Sequence, residues 1–110
     1  MVFDEGLALR IREIMNDTGQ PYEEKNMFGG KSFMLGGNVA CGVIGENMCV
    51  RVGPEGNEEA LTQPFARPFD FTGKAMSGWI YVSPDGLAEK DELSAWVKRG
   101  VDFASSLPAK

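Results

Sequence analysis

The stretch from Asn38 to Gly53, NVACGVIGENMCVRVG, consists of two β-forming runs joined by Gly45-Glu46. Glycine at the first central position of a two-residue loop fits a type II′ turn, whose twist matches that of antiparallel strands. Such a loop fixes the register. Val43 is expected opposite Met48, Cys41 opposite Val50, and Val39 opposite Val52. Side chains alternate along a strand, so these six apolar residues are expected to share the buried face. Cys49 and Arg51 then belong to the other face, beside Gly42 and Ala40. Cysteines on opposite faces cannot reach the separation that a disulfide requires, and both thiols are expected to be unlinked.

Working outward, KSFMLGG (Lys31–Gly37) adds a strand whose tight turn is Gly36-Gly37 or Gly37-Asn38. Upstream, Phe3, Leu7, Ile11 and Ile14 recur at helical spacing and predict an amphipathic helix over residues 4–17, ended by Gly19 and Pro21. Downstream, Pro54 is placed to start a short helix and Pro64 to stop it. RPFDFTGKAMSGWIYVS (Arg67–Ser83) reads as a strand pair, with Trp79 to Val82 the stronger half, and SPDG (Ser83–Gly86) as a turn. Leu93, Val97, Val101 and Ala104, flanked by Trp96 and Phe103, predict a helix from about residue 89 to 105. The expected fold class is α+β. An antiparallel sheet of about five strands, a meander plus a strand pair, carries N-terminal, middle and C-terminal helices in the order α-β(3-4)-α-β(2)-α. No repeat, low-complexity tract or linker interrupts the chain, so residues 1–110 are expected to form a single domain. That length buries roughly 60–70% of the surface an unfolded chain exposes.

Charge and composition narrow the function. Sixteen acidic residues against eleven basic ones leave a net charge of −5, which repels a phosphate backbone, and the lysines and arginines are scattered. There is no histidine. Ser-His-Asp and Cys-His catalysis, histidine metal ligation and the usual near-neutral general base are all removed together. The N-terminus MVFDEGLALR has acids where a signal peptide needs positive charge, and no run approaches the ~20 apolar residues that span a bilayer. A cytoplasmic protein without membrane association is expected.

Each candidate motif has a plainer reading beside it. MFGGKSFML (Met27–Leu35) holds the Gly-Lys-Ser letters of a phosphate-binding loop, but Lys25 stands where that loop needs its first glycine. β-forming residues follow instead of a helix, so Gly29 and Gly30 are read as bending the chain between strands. Cys41 and Cys49 lack metal-site spacing, and no metal or cofactor is expected. Cys49 is expected to be partly covered near Arg51, with a slightly activated thiol at most. The pairs Glu23-Glu24, Glu58-Glu59 and Asp91-Glu92 are sequence neighbours pointing different ways, and read as solvated or helix-start charges. The unusual segment is RPFDFTGKAM, where Arg67, Asp70, Thr72 and Lys74 are threaded between Phe65, Phe69, Phe71 and Met76. Asp70 pairing with Arg67 or Arg51 to fix the loop is one reading. An aromatic and arginine binding surface, rich in the residue types enriched at interfaces, is the other.

Taken together, Phe28-Gly29-Gly30, Cys41-Gly42-Val43, Val50-Arg51-Val52-Gly53-Pro54, Arg67-Pro68, Asp70-Phe71-Thr72-Gly73, Gly78-Trp79 and Ser106-Leu107-Pro108 resemble the TfoX/Sxy N-terminal-domain family from about Tyr22 onward. The resemblance implies a small α+β fold. It also implies kinship with bacterial regulators of natural competence that work with the cyclic-AMP receptor protein and carry a second, C-terminal domain. These 110 residues are expected to be a short, single-domain member. Phe65 stands where that family often has a histidine, and the family has no established catalytic residues to carry over. The expected function is a non-catalytic regulatory or adaptor domain acting through protein contacts. Its contact surface is expected to include Arg51, Arg67, Asp70, Lys74 and Trp79, facing an unidentified protein partner. A metabolite-binding domain is the alternative, and direct DNA binding comes third. An edge strand of so short a meander offers itself to a second copy, so a homodimer stays open.

Overall fold

The computed structural model describes residues 3–27, 29–69 and 77–108. Helix α1 (Glu5–Asp17) leads into four strands, β1 (Glu23–Met27), β2 (Gly30–Leu35), β3 (Asn38–Ile44) and β4 (Asn47–Arg51). A 3-10 turn at Pro54–Gly56 opens the short helix α2 (Asn57–Leu61). Strands β5 (Ala66–Pro68) and β6 (Trp79–Val82) follow, then a 3-10 turn at Pro84–Leu87 and helix α3 (Lys90–Ser105). The strands form one antiparallel sheet in the order β1-β2-β3-β4-β6-β5. The sheet has six strands, one more than the sequence reading. The addition is β1, whose EEKNM has no apolar alternation and lies at the sheet edge, where charge discourages pairing with another chain.

The hairpin of Asn38–Gly53 has the expected register, with Cys41 opposite Val50, Val43 opposite Met48, and Ile44 and Asn47 closing the two-residue loop. Gly45 takes φ 59°, as the turn requires. Gly36 and Gly37, at φ 57° and 84°, make the preceding turn. One detail is corrected. Phe33 pairs with Cys41 but Met34 pairs with Val39, so Ala40 is the extra residue of a β-bulge. The bulge brings Ala40 into the helix-side core, not the outer face, and Val39, although buried, lies outside that cluster.

Both long helices cover one face of the sheet. Leu7, Ile11 and Met15 of α1 and Leu93, Val97 and Val101 of α3 pack on Phe33, Cys41, Val43, Met48, Val50 and Ile80. Asp4 caps α1 by accepting from the Leu7 amide at 3.1 Å. The opposite face carries a smaller cluster of Cys49, Phe69 and Tyr81, with Ile44 and Trp79 against it. No helix among the described residues is long and apolar enough to cross a membrane.

Candidate functional site

Strand β6 organises the outer face. Trp79 and Tyr81 are two residues apart and therefore project to the same side. Arg51 of β4 lies opposite Trp79 and Cys49 opposite Tyr81, while Arg67 of β5 lies opposite Tyr81 from the other flank. Pairing from both sides thus brings two arginines, one from each neighbouring strand, onto the aromatic residues of β6.

The contacts follow from that register. Arg67, exposed, sits 4.9 Å from the centroid of the Tyr81 ring. Arg51 is 5.5 Å from the Trp79 ring and 5.2 Å from the Phe103 ring of α3, placing its guanidinium near two aromatic residues. Phe69, fully buried, packs on Tyr81 at 4.7 Å and Trp79 at 5.6 Å. Tilted aromatic pairs at these separations are worth about 0.5–1.5 kcal/mol, and a cation over a ring at an exposed site about 0.5–1. The ends of β4 and β6 are tied by the Gly78 carbonyl, which accepts from the amides of Val52 (2.8 Å) and Gly53 (3.1 Å). The Gly78 amide donates to Asn57 Oδ1 at 2.9 Å. Gly53 has no side chain because one would collide with the Phe103 ring. That close approach is what lets Phe103 reach Arg51.

Of the expected contact residues, Arg51, Arg67 and Trp79 are brought together on one face. Asp70 and Lys74 lie outside the described residues, as does the reading of Asp70 as a partner for either arginine. Two members of the site were not singled out from sequence. Tyr81 was signalled by its two-residue spacing from Trp79. Phe103 had no such signal, because only the packing of α3 brings it to β4.

Cys49 departs from its expected role. Phe69 and Tyr81 cluster with it, leaving it 1% exposed, and burial pushes its thiol up to about 12. A thiol that does not ionise near neutral pH is no nucleophile, so the mildly activated cysteine is withdrawn. Burial likewise raises Cys41, which lies in the helix-side core, and the two cysteines are unlinked. The Gly-Lys-Ser stretch, Gly30 to Ser32, lies on β2 and pairs with β1, and Gly29 before it takes φ 75°. It offers no helix start for a phosphate. Among the described residues, no group of three or more Cys, Asp or Glu converges to hold a metal ion.

Two clefts among the described residues are open to solvent. One of about 540 Å³ lies between Tyr22, Leu35 and the end of α3. Another, about 510 Å³, adjoins the arginine face and is lined by Val52, Pro54 and Phe103 with Glu55, Glu59 and Asp102 at its rim. Arg99 of the second cleft is already held by Glu59 at 2.8 Å.

This architecture is matched across residues 13–104 by the TfoX N-terminal domain, from the later part of α1 to the last turn of α3. The chain belongs to the TfoX N-terminal domain family. The matched span contains Arg51, Arg67, Trp79, Tyr81 and Phe103. No curated protein and no solved structure matches the chain.

Proposed function

We propose that this TfoX N-terminal domain is a non-catalytic regulatory or adaptor domain that acts through protein contacts, in transcription or competence-type regulation as its family implies. The supporting observation is the outer face of the sheet, where Arg51 and Arg67 lie over Trp79, Phe103 and Tyr81. Arginine, tryptophan and tyrosine dominate the energetics of protein interfaces, because each combines large contact area with a directed polar group. The chemistry elsewhere favours the same reading. The two thiols are buried with raised pKa values, and histidine is absent. Of the two clefts described, neither is lined by Arg51 or Arg67.

The test is capture from nuclease-treated native lysate, comparing the wild-type chain with Arg67→Ala/Trp79→Ala and reading retained proteins by mass spectrometry. The expected result is a protein retained by the wild type and lost with the double variant, while circular dichroism shows the fold intact. Retention unchanged by the two substitutions would remove this face as the contact surface.

A further inference from the structure

We infer that Arg51 and Arg67 form a two-point receptor for carboxylates, and that the partner of this face presents an acidic polypeptide segment. The inference rests on the contact-surface reading above and adds the partner's chemistry. Arg10, Arg12 and Arg99 all have acceptors within the fold. Arg10 donates to the Leu87 carbonyl at 2.8 Å, Arg12 forks onto Glu24 at 2.7 and 2.8 Å, and Arg99 donates to Glu59 at 2.8 Å. Among the described residues, the side chains of Arg51 and Arg67 meet no hydrogen-bond acceptor or carboxylate and lie against aromatic rings. Attraction to a ring leaves the guanidinium N–H donors unused, and those donors match a carboxylate bidentately.

The register supplies a spacing. Arg51 and Arg67 flank β6 on opposite sides and are offset along it by the two residues from Trp79 to Tyr81. Two inter-strand steps of ~4.8 Å and a two-residue rise of ~6.8 Å put their Cα atoms about 12 Å apart. An extended peptide covers that span in about four residues at ~3.3 Å each, so acids at i and i+4 suit the pair. A nucleic acid fits less well. It needs many phosphate contacts in succession, whereas beyond Phe103 the next cleft is rimmed by Glu55, Glu59 and Asp102 on a chain of net charge −5.

The experiment selects binders to the full chain from a random dodecapeptide display library. Selected peptides are then titrated by fluorescence anisotropy against wild type, Arg51→Lys, Arg67→Lys and Trp79→Ala, and as Glu→Gln or Asp→Asn versions. Fluorescein-labelled 20-nucleotide single- and double-stranded DNA and sedimentation of the protein alone complete the set. Lysine keeps the charge and stem but loses the planar fork, and Arg67 is exposed, so Arg67→Lys leaves the fold intact. The expected result is peptides with two acids about four apart, weakened roughly tenfold or more by either lysine variant and by either amide replacement. Peptides lost with Trp79→Ala but lacking paired acids, or indifferent to the lysine variants, would overturn the carboxylate receptor and leave the contact face standing. No binders, or binders indifferent to Trp79→Ala as well, would remove both. DNA binding weakened by Arg67→Lys without any acidic-peptide binding would reassign the pair to phosphate. Self-association abolished by Arg67→Lys would reassign it to a second copy.

Discussion

Phe65 holds a left-handed backbone conformation, φ 67°, the one non-glycine among the described residues to do so. For an L-residue with a Cβ, that conformation costs roughly 1–2 kcal/mol. The surrounding bonds impose it. The Phe65 carbonyl accepts from the Ser83 amide at 3.0 Å, and the Ala66 amide donates to the Gln63 carbonyl at 3.2 Å, so the entry to β5 is fixed at both ends. The ring recovers little, being 49% exposed. Asparagine tolerates this backbone region far better than an aromatic residue. Phe65→Asn is therefore expected to raise stability by about 0.5–1 kcal/mol, read as a higher midpoint in urea with an unchanged slope. A lower midpoint would show that the exposed ring contributes more packing than its exposure suggests.

At the scale of elements, the decisive contact is α3 crossing β3 at the bulge. Gly100 interrupts an otherwise good helix because any side chain there would strike the Ala40 carbonyl. Helix propensity alone favours alanine over glycine by about 1 kcal/mol. The collision with backbone outweighs that gain, since overpacking a filled core typically costs 1–3 kcal/mol. Gly100→Ala is expected to lower stability by up to about 2 kcal/mol net, measured by denaturant unfolding. Because α3 also delivers Phe103 to Arg51, the same variant is expected to disturb the arginine face, whereas Phe65→Asn is not. A stabilised Gly100→Ala would mean the helix sits further from β3 than this geometry has it.

For the whole molecule, the question is what holds the exposed edge strand β1 to the helical layer. Arg12 of α1 forks onto Glu24 of β1, and the Tyr22 hydroxyl donates to Asn16 Oδ1 at 2.9 Å. The hydrogen bonds from Arg12 hold the Glu24 carboxyl below its ordinary value of 4.5. A carboxyl depressed in the folded state stabilises it fully above that ordinary value. The contribution disappears as pH falls through the lower folded value. Both side chains are partly solvated, at 37% and 23% exposed, so the pair is worth up to ~1 kcal/mol. The melting temperature of Glu24→Gln is expected to lie about 2–4 °C below wild type near pH 7, with the gap closing as the pH falls below 4.5 and the carboxylate is protonated. A gap that persists in acid would assign the difference to something other than the ionised carboxylate.

Elements whose signals are local were legible before any tertiary contact was known. Phe3 to Ile14 and Leu93 to Ala104 carry a helical period, and Gly45-Glu46 sets a turn that dictates which residues of β3 and β4 face inward. The same turn placed Arg51 away from the buried face, whereas the side taken by Trp79 and Arg67 follows from the pairing of β6 with β4 and β5. Three features required the tertiary structure. Strand β1 has no apolar alternation of its own and is a strand because β2 supplies its hydrogen-bond partners. Cys49 follows the outward parity of its strand, yet it is buried because Phe69 and Tyr81 come from distant parts of the chain to cover it. Phe103 joins Arg51 only because Gly53 lets α3 approach the end of β4. Periodicity reports which side of an element a residue occupies; what lies against that side depends on contacts between residues far apart in sequence, which no local pattern encodes.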